Sequence, residues 1–174
     1  MPNARILLVY YSRTGNTRHL AEAIAGELRC DIEEIHDTRA RLGFIEFLRS
    51  CVEALRGHHA EIEAVEHDPK AYDLIVIGTP VWAGSVSTPI RAYLAAHAGS
   101  FPDAAFFCML GHQGSSGAFL EMQKLVGKPP LACCVVTAGG IAAGSFQPQV
   151  TRFVGKLATF KKAGVTGEPA GLHA

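Results

Sequence analysis

The sequence lacks an excess of charge of either sign. Its 16 lysines and arginines balance its 16 aspartates and glutamates, so the formal net charge is zero. Proteins that bind nucleic acids or anionic membranes through electrostatics carry a basic surface that attracts phosphate groups. We therefore expect neither nucleic acid nor a membrane surface among the partners of this chain.

Long apolar runs and paired cysteines are also missing. No uninterrupted run of about 18 apolar residues occurs, the length at which a membrane-spanning helix becomes the first interpretation. The N-terminus runs straight into an apolar strand pattern without the features of a signal peptide. The five cysteines form no CxxC pair and lie in apolar segments, which indicates small core residues in a reducing compartment. These features predict a cytoplasmic protein.

Several short motifs that are typical of particular nucleotide-binding or catalytic sites are absent as well. The chain contains no GxxxxGK[ST] nucleotide loop, no GxSxG nucleophile turn and no GxGxxG dinucleotide fingerprint. His58, His59 and His67 lie in a polar connection without a recognisable set of metal ligands. We predict no metal site and no catalytic Ser or Cys nucleophile.

What the sequence does contain is a clear strand, turn and helix near its start. Ile6 to Tyr11 form an unbroken apolar run that suits a buried strand, and Leu20, Ile24 and Leu28 recur at helical spacing. Between them lies the turn Ser12–Thr17, which is rich in hydroxyl groups. Such a turn at a helix N-terminus can bind phosphate, because main-chain N–H groups there lack internal partners. The alternative is that its Ser, Thr and Asn residues are ordinary helix caps.

The rest of the chain alternates strands and helices. The predicted strands are Ile6–Tyr11, Cys30–His36, Leu74–Gly78, Ala104–Leu110 and Leu131–Val136. Such alternation predicts an α/β fold, a parallel five-stranded sheet with helices on both faces. The polar second strand belongs at an edge, which favours the strand order 2-1-3-4-5. We expect one domain over residues 1–163 and a tail over 164–174.

The connections and helices are predicted as follows. Thr79–Ser87 and Thr137–Gly144 are expected to be loops, and helices are expected at Arg41–Arg56, from Thr88 as N-cap, from Ala118 to Gly127, and from Ser145 or Gln147. The helix at Arg41–Arg56 has an apolar arc of about 160° on a helical wheel. Core packing explains most of that arc, and a homodimer interface is the second explanation.

Three connections meet where the direction of winding reverses, at the carboxyl ends of the strands. They cover residues 12–17, 79–88 and 111–117. The first suits phosphate, the second presents Trp82, the only tryptophan of the chain, and the third offers Gly, Ser, His and Gln. Together they describe a site for a planar heterocycle on a phosphorylated tail.

At these residues the sequence resembles the flavodoxin family. Ser12–Thr17 matches the family's phosphate loop, Ser/Thr-x-Thr-Gly-x-Thr, at every defined position, and Gly78–Gly84 is similar to its second, flavin-flanking loop. Gly111–Gly117 is similar to its third loop, though less closely. The resemblance implies a flavodoxin-like domain that binds FMN non-covalently.

The resemblance also implies roles for individual residues. The 5′-phosphate would be bound in the turn that contains Ser12, Arg13, Thr14, Gly15, Asn16 and Thr17, with the orientation of Arg13 left open. The isoalloxazine would lie against Thr79, Pro80, Val81, Trp82, Ala83 and Gly84, with Trp82 either stacking on it or serving as a core aromatic. Its far part would be bordered by Gly111, His112, Gln113 and Gly114, where His112 is either a flavin contact or a solvated loop residue.

Three functions are compatible with such a site. One is an electron carrier between redox partner proteins, although family carriers are strongly acidic and this chain is neutral; a local patch of Glu33, Glu34 and Asp37 could still dock a partner. Another is an NAD(P)H-dependent FMN or quinone oxidoreductase. The third is a binding module that has lost its flavin, which the intact Thr14–Thr17 turn disfavours.

Overall fold

A computed structural model describes residues 4–37, 62–111 and 114–163 of the chain. Its elements in chain order are β1 (Ile6–Tyr10), α1 (Asn16–Leu28), β2 (Asp31–Glu34), a 3₁₀ turn (Pro69–Ala71), β3 (Leu74–Trp82), β4 (Ser85–Val86), α2 (Thr88–Ala96), β5 (Asp103–Leu110), α3 (Ser115–Val126), β6 (Cys133–Thr137), α4 (Ala138–Ala142) and α5 (Gln147–Ala163). Within these residues, no helix has both the length and the hydropathy needed to cross a bilayer.

The sheet has the predicted order of parallel strands. The order is β2-β1-β3-β5-β6, in which Ile6 pairs with Leu74, Leu74 with Asp103 and Phe106 with Cys133. The short β4 lies off this path and pairs antiparallel with the end of β3. The fold prediction is therefore confirmed, with one added strand.

The core lies on both faces of the sheet. Successive residues of β1 alternate between two apolar clusters, so that Leu8 packs with the α1 and α5 side and Leu7 with the α2 and α3 side. Every residue of β1 is buried, because both faces of a central strand are covered in a doubly wound sheet. This burial explains the unbroken apolar run at the start of the sequence.

The edge strands are less completely covered. Ile32 of β2 and Val135 of β6 are exposed, and so is the thiol-bearing Cys133. Cys108 and Cys134 are buried, and burial raises the pKa of their thiols to about 12 and about 11. The expectation that the cysteines are core residues is thus correct for these two and wrong for Cys133, because β6 is an edge strand.

Four local predictions need correction. The segment Thr79–Trp82 continues β3 instead of forming a loop, because its first two residues pair with β5 and its last two pair with β4 in a hairpin. Helix α4 replaces the predicted turn at 137–144, since the Thr137 hydroxyl accepts a hydrogen bond from the Gly140 N–H at 3.1 Å and caps the helix. Helix α3 begins at Ser115 rather than Ala118, and the N-cap of α2 is Ser87 rather than Thr88.

Some predictions lie outside the described residues. These are the helix at 41–56 with Cys51, the histidines His58 and His59, residues His112 and Gln113, and the tail 164–174. On either side of the gap at 38–61, Asp37 and Ile62 form an antiparallel bridge, and the Glu63 N–H donates to the His36 carbonyl at 3.0 Å. The chain therefore leaves and rejoins the described structure beside the edge strand β2.

Candidate cofactor site

The turn after β1 places the N-terminus of α1 at the rim of the sheet, the edge formed by the carboxyl ends of its parallel strands. Gly15, the N-cap of α1, has φ +87°, a left-handed conformation that glycine adopts without steric cost. Among the described residues no side chain forms a cap hydrogen bond at this end, and the first turn of α1 carries no acidic residue. The alternative that the Ser, Thr and Asn residues here are ordinary caps is not supported, and the free amides suit an anion.

Ser12 adds an unusual polar atom to this turn. Its Oγ is buried and has no hydrogen-bond partner within the described residues. Buried hydroxyl groups in proteins are nearly always paired, because an unpaired one costs free energy. Thr17 is also buried, whereas Thr14 is exposed and Asn16 is half-buried. The unpaired Ser12 Oγ and the N–H groups at the start of α1 are polar groups of the kind that bind an anion such as phosphate.

Arg18, the arginine in the first turn of α1, forms an ion pair with Glu34 of β2. Arg18 donates to both carboxylate oxygens of Glu34 at 2.9 Å, and the Tyr10 hydroxyl donates to the same carboxylate at 3.0 Å. Burial and this hydrogen bond to Glu34 raise the pKa of Tyr10 to about 12, and Glu34 also raises the pKa of Arg18. Arg18 therefore anchors α1 to β2.

The second predicted loop is a hairpin with a closed base. The Thr79 Oγ1 accepts a hydrogen bond from the Ser87 N–H at 3.0 Å, and both residues are fully buried. At the tip, Ala83 and Gly84 have φ +49° and +78°, as the two central residues of a tight type I′ turn require. The hairpin thus projects Val81, Trp82 and Ala83 beyond the sheet on a fixed frame.

Trp82 connects this hairpin to the turn after β1. Its ring lies edge-on to the ring of Tyr11, with centroids 5.9 Å apart and planes at 88°, a preferred geometry for aromatic pairs. Tyr11 is buried and Trp82 is half-buried, packed at the margin of the core. The structure therefore shows Trp82 packed against the core, and its stacking on a flavin stays a prediction.

The third predicted loop touches the hairpin through glycines. A Cβ placed on Gly114 would lie 2.7 Å from the Gly84 Cα, and one on Gly117 would lie 2.6 Å from the Gly84 carbonyl oxygen. Gly114 is also the left-handed N-cap of α3, with φ +109°. The start of α3 and the tip of the hairpin can approach this closely only because side chains are absent here.

The structure therefore assembles three rim segments at the carboxyl ends of β1, β3 and β5. It places Ser12–Thr17, Thr79–Gly84, Gly111 and Gly114 there, and His112 and Gln113 lie outside the described residues. Sequence reasoning did not connect Tyr11 or Glu121 with this assembly, and it placed Gly117 in the third segment without predicting its contact with Gly84. Glu121 is 35 positions from Val86, whose N–H it accepts at 3.1 Å, and no local pattern signals a contact so distant along the chain.

The acidic residues considered for partner docking are largely occupied within the chain. Glu33 is only 9% exposed and accepts hydrogen bonds from the N–H groups of Glu66, at 2.5 Å, and His67, at 3.3 Å. Glu34 is held by Arg18 and Tyr10. Carboxylates that are paired in this way offer a weaker field to a basic partner than free ones would.

Several solved structures share this fold. The fold is similar to a flavoprotein from Lactobacillus acidophilus NCFM in complex with FMN, at 22% identity and a TM-score of 0.70, covering 87% of this chain and 99% of that one. It is similar to a flavodoxin, WrbA-like protein from Agrobacterium tumefaciens, at 15% identity and a TM-score of 0.65, covering 92% and 98%. It is also similar to an NADH:FMN oxidoreductase in its apo form, at 16% identity and a TM-score of 0.55, covering 95% and 92%.

Comparison of sequences identifies the family. Among curated proteins no sequence matches significantly. The family described as NADPH-dependent FMN reductase matches residues 4–152, a span that contains all three rim segments. The chain belongs to the NADPH-dependent FMN reductase family and is an FMN-binding protein with a flavodoxin-like fold.

Proposed function

We propose that the protein is an FMN-dependent oxidoreductase that takes electrons from NAD(P)H and passes them to a flavin, a quinone or a similar acceptor. The observation that carries this proposal is the family match over residues 4–152, together with a rim whose free polar groups suit FMN. A cytoplasmic location and a homodimer are part of the proposal, supported by the cysteine usage and the apolar pattern at 44–55.

The phosphate of FMN would be held by the turn after β1. The first N–H groups of α1 and the Ser12 hydroxyl have no hydrogen-bond partner among the described residues, and Thr14, Asn16 and Thr17 add polar groups beside them. Helix N-termini stabilise anions through their unpaired N–H groups and the helix dipole. The absence of acidic residues from the first turn of α1 keeps the local field favourable for a dianion.

The isoalloxazine ring would lie against the hairpin. Pro80, Val81 and Trp82 supply an apolar wall, and the backbone of Ala83 and Gly84 supplies polar groups next to it. When bound, FMN supplies the one- and two-electron redox chemistry that the side chains of the protein cannot perform. The wall excludes water from one face of the ring, and the rim between the hairpin and Gly114 orients the ring.

A reductase accounts for the surface better than an electron carrier does. The net charge is zero, and Glu33 and Glu34 of the expected acidic patch are engaged inside the chain. An acidic face is what steers a small carrier to a basic partner protein. A nicotinamide dinucleotide is itself anionic and needs no such face.

Anaerobic mixing of the FMN-loaded protein with NADH or NADPH tests the proposal. We expect rapid loss of the visible flavin absorbance with at least one of them, at a rate far above that of free FMN at the same concentration. Absence of bleaching over minutes would contradict the reductase. If a separate reductase protein then reduced the bound flavin, the chain would be a carrier. Light scattering tests the homodimer separately.

A further inference from the structure

The outer edge of the hairpin is held by two side chains from different helices. Glu121 of α3 accepts a hydrogen bond from the Val86 N–H at 3.1 Å through Oε2. Its other oxygen, Oε1, lies 2.5 Å from the Nε of Arg91 on α2. Arg91 Nη2 in turn donates to the Val86 carbonyl at 3.5 Å. Both main-chain groups of Val86 are therefore engaged by one ion pair.

This arrangement takes the place of a neighbouring strand. On its other side Val86 pairs with Val81 of β3, and β4 has only two residues. An isolated two-stranded hairpin is at best marginally stable, and an open edge leaves its main-chain groups to water. The pair formed by Arg91 and Glu121 supplies both the acceptor and the donor that a third strand would offer, from partly buried positions.

The hairpin has a reason to need this support. Ala83 is in the left-handed region with φ +49°, which costs a residue other than glycine about 1–2 kcal/mol. Such conformations persist when the surrounding structure fixes them. The base is fixed by Thr79 and Ser87, and the tip contacts Gly117. The pair at Val86 fixes the remaining side.

We propose that Arg91 and Glu121 are positioning residues that set the geometry of the hairpin against bound FMN. The proposal rests on the proposed function, which places the isoalloxazine against residues 79–84. Neither side chain needs to touch the flavin, because each acts through the backbone of Val86, which pairs with Val81 beside Trp82. Loss of the pair should change how the ring is held and therefore its optical activity, its midpoint potential and its affinity.

The test compares Glu121→Gln with Glu27→Gln in the full chain. The amide introduced by Glu121→Gln would keep one oxygen but place an NH₂ group where the carboxylate accepts, so the ion pair with Arg91 is lost. Glu27 accepts from Gln147 at 2.6 Å and from Thr151 at 3.3 Å, linking α1 to α5. It is a matched control, because it is a carboxylate that joins two helices without contacting the hairpin.

We expect Glu121→Gln to weaken FMN binding about tenfold, or about 1.4 kcal/mol, as for the loss of one hydrogen bond to a charged group. We also expect it to change the visible circular dichroism and the midpoint potential of the bound flavin. Glu27→Gln should leave all three unchanged. Arg91→Lys, which keeps the charge but not the forked donor, should change the dichroism less than Arg91→Met does.

The outcomes distinguish failure of the positioning role from failure of the proposed function. Wild-type dichroism, potential and affinity in Glu121→Gln would overturn the positioning role while leaving FMN binding intact. Failure of the wild-type protein to bind FMN would instead overturn the proposed function, and the positioning role with it. If Glu121→Gln does not fold, hydrogen exchange of the Val86 amide in the wild-type protein tests whether the pair holds the hairpin edge. A Val86 N–H protected as strongly as one in β3 supports the pair, and exchange at the rate of an open edge overturns it.

Discussion

Gly84 and Gly117 are in direct contact across the rim of the sheet. The carbonyl oxygen of Gly84 lies 2.6 Å from the point that a Cβ on Gly117 would occupy. Gly84 is at the tip of the β3–β4 hairpin, and Gly117 is in the first turn of α3. The second and third rim segments can thus pack this closely only because Gly117 has no side chain.

Replacement of Gly117 with alanine should therefore disturb the site. The added Cβ would overlap the Gly84 carbonyl and push the hairpin tip away from α3. Overpacking of this kind costs about 1–3 kcal/mol, which exceeds the gain in helix propensity of about 1 kcal/mol. We expect weaker FMN binding, by about tenfold, measured by titration of the apoprotein and fluorescence of the flavin.

Gly26→Ala is the matched control for this substitution. Gly26 lies inside α1, and a Cβ there would meet nothing within 4 Å. We expect it to raise the free energy of unfolding by about 0.5–1 kcal/mol and to leave FMN affinity unchanged. If Gly117→Ala behaved as Gly26→Ala does, the contact between hairpin and α3 would have no role in the site.

A second glycine is required by the core. A Cβ on Gly78 would lie 1.9 Å from the Phe107 ring, which lies across from it on β5. We expect Gly78→Ala to lower the free energy of unfolding by about 3 kcal/mol or more, because the ring has to move. In combination with Phe107→Leu the loss should be smaller than the sum of the two single losses. Additive losses in urea denaturation would show that the ring already has room to move.

The sequence was sufficient to predict the elements that local patterns define. The apolar run of β1 and the helical spacing of Leu20, Ile24 and Leu28 led to the correct strand, turn and helix. Gly15 lies within the predicted turn, and its φ of +87° explains why glycine stands there. The parallel order followed because few right-handed crossover topologies fit five alternating units.

Features that depend on distant partners could not be predicted. Thr79–Trp82 contains a proline and leads to Ala83 and Gly84, a composition typical of loops, yet it is a strand because β5 pairs with its first half and β4 with its second. Helix α4 forms over Gly139 and Gly140, whose helix propensity is low, because Thr137 caps it. The Glu121 contact with Val86 spans 35 positions and leaves no trace in the local sequence.

The alkaline stability of the protein should depend on Tyr10. Burial, followed by its hydrogen bond to Glu34, raises the pKa of Tyr10 from 10.0 to about 12. Between these values the unfolded chain loses the proton and the folded protein keeps it, so this contribution to stability is complete below pH 10 and lost as the pH rises to about 12. The expected slope is about 1.4 kcal/mol per pH unit.

Tyr10→Phe tests this dependence. Its free energy of unfolding should fall less steeply between pH 10 and pH 12 than that of the wild-type protein, as measured by urea denaturation at each pH. Burial and the hydrogen bond to Asp31 also raise the pKa of Tyr72 to about 12. Tyr72 therefore contributes in the same pH window, and Tyr10→Phe should reduce the slope without abolishing it. A slope equal to that of the wild type would show that the Tyr10 hydroxyl titrates normally.

Ser12→Ala should separate a ligand-binding role from a structural one. The Ser12 Oγ is buried and unpaired in the described structure, so its removal takes away an unsatisfied polar group. We expect the apoprotein to keep its stability or to gain about 1 kcal/mol. In the FMN complex the same hydroxyl would donate to the phosphate, and its loss should weaken binding by about 10- to 100-fold.

Riboflavin provides the matched ligand for Ser12→Ala, because it has the same ring system without the phosphate. Its affinity should be equal for the variant and the wild-type protein, while the affinity for FMN falls. A loss that is equal for both ligands would mean that Ser12 shapes the ring site instead of binding phosphate. A loss of apoprotein stability would mean that the hydroxyl has a structural partner. Only a loss confined to FMN, in a protein at least as stable as the wild type, assigns the unpaired hydroxyl to the phosphate.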